Sequence, residues 1–402
     1  MVAVVAVART AVRPVDGELA GWNPVELAGV VGREVLERAG LDAGALDEVV
    51  VGCADPVGAC GADAARAIAL AAGWPVGIGG LVVDRAETSG LAAMQAAVAA
   101  IRSGQARTVL VVGLGLCSVV PPGAAALSRT YGAPWGGVAE RFEADGGLLP
   151  GPRLTERAAR AAGMGRDEVD AAAEESRRRR TEASPAIVAV AARPGAAAGR
   201  GVRRGDPVAA DVLRDWGDAG ELPPAFDDDG LLTAATFAPP ADGVAAVLLQ
   251  AAETRPSGAA REIVTEKGTC ESVQTAETRP SGARATVAGM GRAAGDPFDP
   301  VGNVGAAVGR ALVEAGVELP AIGAISVVEH GAPTVMLAAR ALDTDAARIN
   351  RDGGAVATGN AGAAEELRLV TDGLASPDAG RLLLTVSAGP TGSAAIIWHT
   401  DI

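Results

Sequence analysis

Aromatic side chains are scarce in this chain: four Phe, five Trp and one Tyr among 402 residues, or 2%. Lysine is scarcer still, with Lys267 alone, and histidine is confined to His330 and His399. A core without aromatics must be built from Ala, Val and Leu at close backbone approach, which suits sheets covered by helices better than aromatic-rich sandwiches. With one lysine, any phosphate has to be held by Arg or backbone N–H groups, and Schiff-base chemistry would rest on Lys267. Two histidines rule out a His-rich metal site. The four cysteines (Cys53, Cys60, Cys117 and Cys270) show neither paired C-x-x-C spacing nor a disulfide framework, so no metal site is expected. Positive charge is also in deficit. The net charge of −14 argues against non-specific nucleic-acid binding and against an anionic membrane surface. The longest opening apolar run, seven residues before Arg9, is too short to span a bilayer and reads as a buried strand. A reducing, cytoplasmic setting is the expectation.

Apolar residues make up 49% of the chain and charged ones 21%, enough for a sizeable core. Strand patterns at 2–7, 46–52, 80–84 and 107–116 alternate with helical spacing at 25–40, 63–72 and from Leu91 to about Ser103. This order predicts a mostly parallel α/β sheet with right-handed crossovers. From 119 to about 230 the chain turns to Pro/Gly clusters and two charged helical stretches, 154–163 and 166–182. A buried strand returns at 243–250. The opening rhythm then repeats, with strands at 284–292 and 322–328, helices at 300–316 and 332–342, and closing strands at 380–388 and 393–398. Two similar halves around an insertion indicate internal duplication. The expected units are 1–118 with 231–254, an inserted loop domain 119–230, a linker 255–283, and 284–402. A literal repeat, AETRPSGA, stands at 252–259 and 276–283, and the segment between the copies, with Lys267 and Cys270, is turn-like in composition; it reads as a duplicated surface linker or as a partner-binding loop.

The motifs VAVVAVARTAVRP, LERAGLDAGALDEVVVG, VDRAETSGLAAMQAAVAAIRSGQARTVLVVG, LPPAFDDDGLLTAATFAPPADGVAAVLL, NRDGGAVATGNAG and VSAGPTGSAAII follow one another in order. Together they resemble the thiolase superfamily nearly end to end. The resemblance implies two βαβαβ-type halves in a five-layered αβαβα arrangement with an inserted loop domain. It implies acyl thioesters as substrates, carried on coenzyme A or acyl carrier protein, with coenzyme A entering as part of the substrate and no separate cofactor. It implies a homodimer, with a heteromer containing an active thiolase as the alternative.

The same resemblance implies a catalytic Cys nucleophile, a His that activates it, and a second Cys that moves the proton of the attacking carbon. This chain departs at all three. Glu87 stands at the nucleophile position, Asn360 at the His position, and Ser387 at the second Cys position. A carboxylate at a helix mouth is electrostatically favoured, but a mixed anhydride is too reactive to store an acyl group, so Glu87 reads as a base or an electrostatic group. Capping of the helix in an inactive site is the plain alternative. Asparagine takes no proton near neutral pH, and a serine hydroxyl is a poor acid. Gly389 keeps the spacing of an oxyanion-hole glycine, to be paired with the N–H of Glu87. His330, in H-G-A-P, falls where some family members place a second oxyanion-hole residue. Thr236 and Ala238 fall at substrate-contacting positions, and Arg177–Arg180 form a charge run that either meets coenzyme A phosphates or lies on a solvated helix face.

Three readings follow. The first is a degenerate thiolase-like protein that binds an acyl thioester and does non-acylating chemistry (decarboxylation, hydrolysis or C–C cleavage) with Glu87. In related ketosynthase-like proteins an amide side chain at the Cys position gives a decarboxylase. The second is a catalytically silent partner of an active thiolase or ketosynthase. The third is an acyltransferase with a non-standard site, for which Cys117 is the thiol to test.

Overall fold

The computed structural model describes residues 1–127, 132, 136–145, 147, 149–199, 201–264, 270–278, 282–376 and 381–400. The first half runs through strands β1 (Val2–Arg9) and β2 (Arg13–Pro14), helix α1 (Pro24–Ala39), β3 (Glu48–Gly52), α2 (Ala64–Ala71), β4 (Gly79–Val83), α3 (Ser89–Arg102) and β5 (Thr108–Leu116). The insertion carries α4 (Ala124–Leu127), α5 (Gly151–Ala161), α6 (Arg166–Arg179), β6 (Val190–Ala191) and β7 (Pro207–Val208). The chain returns through β8 (Ala241–Ala251), followed by β9 (Glu253–Val264) and β10 (Cys270–Thr278). The second half holds β11 (Ala285–Ala293), α7 (Pro300–Ala315), β12 (Ala324–Val327), α8 (Pro333–Leu342), α9 (Ala355–Thr358), α10 (Ala363–Ala375), β13 (Leu382–Gly389) and β14 (Gly392–His399).

The duplication is visible in both helix caps and strand order. Asn23 caps α1 by accepting the Val25 N–H, and Asp299 caps α7 by accepting the Gly302 N–H. Pro opens each helix, and a left-handed glycine, Gly40 or Gly316, ends it. The strand order is β4-β3-β5-β8-β1 in one half and β12-β13-β14-β11 in the other, joined where β1 meets β11. The sheet is mixed rather than mostly parallel. β8 is antiparallel to both β1 and β5, and β14 is antiparallel to both β11 and β13. The reversal in the second half follows from its connection, since Pro390 and Thr391 alone join β13 to β14.

Helices and sheets stack in five layers. Leu27, Val31 and Val35 of α1 and Ile68 of α2 cover the outer face of the first sheet against Leu110, Val112 and Leu248. Leu91, Met94 and Val98 of α3 and Leu367 and Val370 of α10 fill the space between the sheets. Val304 and Val308 of α7 and Ala338 of α8 cover the second sheet. The helix α10 was not evident from the sequence pattern, because Glu365, Glu366, Arg368 and Asp372 interrupt its apolar residues although all are buried or nearly so. The segment 252–283, expected to be turn-like, contains the antiparallel pair β9–β10. Its register sets the two AETRPSGA copies against each other, Ala276 opposite Arg255 and Glu277 opposite Thr254. Lys267 lies outside the described residues.

A buried ion network ties the insertion to both halves. Arg9 of β1 bonds Asp372 of α10 at 2.7 Å and Asp211 at 2.8 Å. Arg180, just past α6, bonds both aspartates, and Arg368 bonds Asp372 at 3.0 Å and Glu365 through two contacts. Three arginines thus balance three carboxylates. Burial opposes the charge on Asp372, but Arg9, Arg180 and Arg368 hold its carboxyl well below the usual range. The stability gained is present above the ordinary carboxylate pKa and is lost as the pH falls through the depressed value. Replacing Asp372 with Ala leaves three guanidinium groups facing too few anions. It should cost roughly 3–5 kcal/mol in chemical denaturation. A loss below about 1 kcal/mol, the level of an exposed pair, would contradict this role for the network.

Candidate active site

The turn between β4 and α3 presents Glu87. Asp84 accepts the Ala86 N–H at 3.0 Å, and the Ser89 hydroxyl accepts the Arg85 N–H at 2.8 Å while donating to the Ala86 carbonyl at 2.7 Å. Thr88 donates through both its N–H and its hydroxyl to the Arg85 carbonyl. These bonds hold Ala86 at φ 46°, a left-handed conformation that costs a non-glycine residue about 1–3 kcal/mol. The strained residue immediately precedes Glu87 and turns it toward the end of β13. There the Ser387 hydroxyl donates to the Glu87 carbonyl at 2.8 Å, and the Thr391 hydroxyl donates to the Arg85 carbonyl at 3.2 Å. The Glu87 side chain lies on Gly389. A Cβ at residue 389 would stand 2.9 Å from both the Cβ and Oε2 of Glu87, so only glycine fits.

His330 follows β12. Its Nε2 lies 2.8 Å from the Ala388 carbonyl, which can only accept, so Nε2 carries the proton and the neutral ring has its lone pair on Nδ1. The ring packs against Gly151, where a Cβ would lie 2.7 Å from Cγ. Asn360 spends Oδ1 on the Gly362 N–H at 2.8 Å and turns Nδ2 to the Glu329 carbonyl at 3.4 Å. Glu329 itself is wholly buried and accepts bonds from Asn350, Ser176 and the Val356 N–H. Burial pushes its carboxyl up, and these hydrogen bonds oppose the rise. Thr236 and Ala238 run beside His330 through backbone bonds, Ala332 N–H to the Thr236 carbonyl and Ala238 N–H to the His330 carbonyl. The Thr236 hydroxyl is fully buried and accepts the Thr233 N–H. Glu87, Ser387 and Gly389 are therefore in direct contact, His330 is one residue away at Ala388, and Asn360 joins His330 through Glu329.

One residue of this cluster escaped the sequence reading. Glu366, in the first turn of α10, is 1% exposed and accepts the Gly90 N–H at the mouth of α3. Burial, with a further push from the charge on Glu87, raises the Glu366 carboxyl to about 8 against the bonds from Ser387, Gly90 and Leu91. Stability that depends on its neutral form is complete below the ordinary value of 4.5 and is lost as the pH rises through about 8. Oε1 of Glu366 and Oε2 of Glu87 are both buried without a hydrogen-bond partner among the described residues. The available signal was a stripe at helical spacing, Ala363, Glu366, Val370 and Leu374, in which one acid sits on an apolar face.

The remaining candidates lie apart from this chemistry. The Cys117 thiol is 7% exposed, and burial pushes it up to about 12, far from a thiolate at neutral pH. Cys53 and Cys60 are free and buried, and the Cys60 thiol is pushed up by its hydrogen bond to Cys53 and by burial. In the run 177–180 only Arg180 is buried and Arg178 is exposed, and each arginine has a protein partner. Arg178 and Arg179 bond Glu175, Arg180 belongs to the ion network, and Arg177 donates to the Arg214 carbonyl.

Comparison with known proteins agrees with this architecture. The family profile described as thiolase, N-terminal domain, matches residues 2–253. An acetyl-CoA acetyltransferase of Pseudomonas aeruginosa is 32% identical over 387 residues, covering 89% of this chain and 88% of the relative. A steroid 3-ketoacyl-CoA thiolase of Mycobacterium tuberculosis is 28% identical, covering 90% and 84%. The crystal structure of human mitochondrial 3-ketoacyl-CoA thiolase superposes with a TM-score of 0.78 at 21% identity, over 100% of this chain and 99% of that one, a likeness of fold. With the family profile spanning more than half of its length and a relative at 32% identity along nearly all of it, the chain belongs to the thiolase family.

Proposed function

We propose that the protein binds an acyl thioester, on coenzyme A or acyl carrier protein, and uses Glu87 as a base in non-acylating chemistry: decarboxylation, hydrolysis or C–C cleavage. The observation that carries this reading is the Glu87 carboxylate itself. It stands on Gly389 at the mouth of α3, with one oxygen free of protein partners. A carboxylate so placed can take a proton from, or stabilise charge on, a thioester that the neighbouring N–H groups hold. The relatives are named for coenzyme A thioesters, which supports that substrate class. The high pKa of the buried Cys117 thiol weighs against an acyltransferase that uses it as the nucleophile.

A silent partner of an active thiolase or ketosynthase is the second reading. It is favoured by the polar side chains of His330, Asn360, Ser387 and Thr236, each of which already has a protein partner. A homodimer fits the first sheet, where β4 is the edge strand among the described residues and Leu81 on it is 42% exposed. Free thiols at Cys53, Cys60 and Cys117 suit a reducing, cytoplasmic setting. No helix among the described residues is long and apolar enough to cross a membrane.

Thiolysis of acetoacetyl-CoA should be absent or reduced by roughly 10⁴–10⁶ relative to an ordinary thiolase, as expected when the members of a catalytic unit are lost. A spectrophotometric turnover near about 10 s⁻¹, ordinary for enzymes, would sink the proposal.

Any decarboxylase or thioesterase activity should vanish in Glu87→Ala with little change in melting temperature. In Glu87→Gln it should also vanish if proton transfer is the role, whereas retained activity would reduce Glu87 to positioning. Calorimetric titration with coenzyme A separates the two main readings, since an enzyme should bind it and a partner with a filled site should not.

A further inference from the structure

In a chain with a net charge of −14, two arginines beside the turn of Glu87 are left without an anion. Arg85 opens that turn and is half-buried, and Arg292 is exposed near the end of β11. Neither guanidinium has a hydrogen-bond or ion-pair partner among the described residues. Arg310 adds a third cation, donating to the Arg292 carbonyl and forming no ion pair among the described residues. Other arginines of this region are engaged. Arg9, Arg180 and Arg368 share the buried carboxylates, and Arg102 holds Glu314.

Strand register puts Arg292 on the face that carries the candidate site. Arg292 stands opposite Ala394 of β14, and Ala394 stands opposite Ser387 of β13. Directly opposed residues share a face of the sheet, so Ser387, Ala394 and Arg292 form one row. Ala394 packs between the sheets with Leu91 of α3, which makes this the face that α3 covers. Neighbouring strands lie about 4.8 Å apart, so the backbone of Arg292 is about 10 Å from that of Ser387. The turn of Glu87 lies along the end of this row, where Ser387 bonds the Glu87 carbonyl and Thr391, between β13 and β14, bonds the Arg85 carbonyl. Burial and then the charge of Arg292 push the Arg85 guanidinium down, and Glu366 opposes that push without forming an ion pair.

We propose that Arg85 and Arg292 bind a carboxylate at the far end of the acyl group, so that the substrate class is the thioester of a dicarboxylic acid. This rests on the thioester reading, which puts the thioester at Glu87. Each guanidinium presents paired N–H donors that match a carboxylate, and one bound carboxylate relieves the repulsion between the two cations. The arginines bind and orient, and they take no part in bond making at the thioester. A plain acyl chain leaves both guanidinium groups unpaired, which is the basis of selection.

Calorimetric titration compares glutaryl-CoA with pentanoyl-CoA, which has the same carbon chain and no distal charge. The intact protein should bind glutaryl-CoA about tenfold or more tightly, the gain expected of hydrogen bonds to a charged group. Arg292→Gln and Arg85→Gln should each remove that preference and leave pentanoyl-CoA binding as it was. Arg292→Lys, which keeps the charge without the fork of donors, should retain part of it. Equal affinity for the two thioesters in the intact protein, or a preference that survives both Gln variants, overturns the proposal. So does an equal loss of glutaryl-CoA, pentanoyl-CoA and free coenzyme A in Arg292→Gln, which would assign the arginines to a phosphate of the carrier.

The second arm needs no thioester. Phenylglyoxal modifies accessible arginines, and peptide mass spectrometry reads the rate at each one. Glutarate, compared with chloride at equal ionic strength, should slow modification of Arg85 and Arg292 and leave the exposed Arg204 unaffected. Modification of the pair that neither glutarate nor glutaryl-CoA slows overturns the site. Protection by glutarate with no binding of either thioester would overturn the thioester reading and leave the dicarboxylate site standing, so the two failures are distinct.

Discussion

The loop before α10 and the first turn of that helix lie against three glycines of the other half, closer than any side chain would allow. A Cβ on Gly115 would overlap the Ala361 carbonyl, one on Gly113 would overlap the Ala363 carbonyl, and one on Gly90 would stand 2.5 Å from the Ala363 carbonyl. Glycine at these positions lets backbone meet backbone across the interface of the halves. The rest of the site depends on that approach. It delivers the Glu366 carboxyl to the Gly90 N–H at the mouth of α3, and Glu87 in the turn before that helix meets Ser387 and Gly389 of β13. A core poor in aromatics is the same constraint seen from the sequence, since small side chains permit it everywhere between the layers.

Buried charge is handled in two opposite ways on one helix. On one side of α10, Arg368 and Asp372 belong to a balanced network with Arg9, Arg180, Asp211 and Glu365, so every charge has a partner. One turn or so away, Glu366 has hydrogen-bond donors but no cation, and its carboxyl is pushed toward the neutral form. The first arrangement locks the insertion to both halves. The second leaves a buried ionisable group with one oxygen unpartnered among the described residues, beside the N-terminus of α3. Perturbed groups of this kind gather at functional sites because the field that destabilises their charge also tunes their reactivity.

The departures from the family pattern are chemically coherent with one another. Asn360 is spent on backbone groups, accepting the Gly362 N–H and donating to the Glu329 carbonyl. Ser387 carries a hydroxyl where the family resemblance implies a thiol, and that hydroxyl donates to the Glu87 carbonyl. The frame around these residues is that of the thiolase fold.

The sequence by itself determined the succession of strands and helices, the duplication, and the place of Glu87 before α3. These follow from hydrophobic spacing, from caps such as Asn23 and Gly40, and from motifs whose order survives substitution. It could not show α10, because burial of Asp372 depends on Arg180 and Arg9, 192 and 363 residues away. Nor could it show that β8 and β14 run antiparallel to their neighbours, since strand direction is set by how connections cross the sheet. The expected turns at 252–283 gave way to the pair β9–β10 for the same reason, a partner strand supplying the hydrogen bonds. Glu366 illustrates the division most clearly. Its helical position is legible in the chain. Its setting comes from contact with Gly90, and only the tertiary packing of one half on the other decides whether a buried carboxyl meets a cation or a backbone N–H.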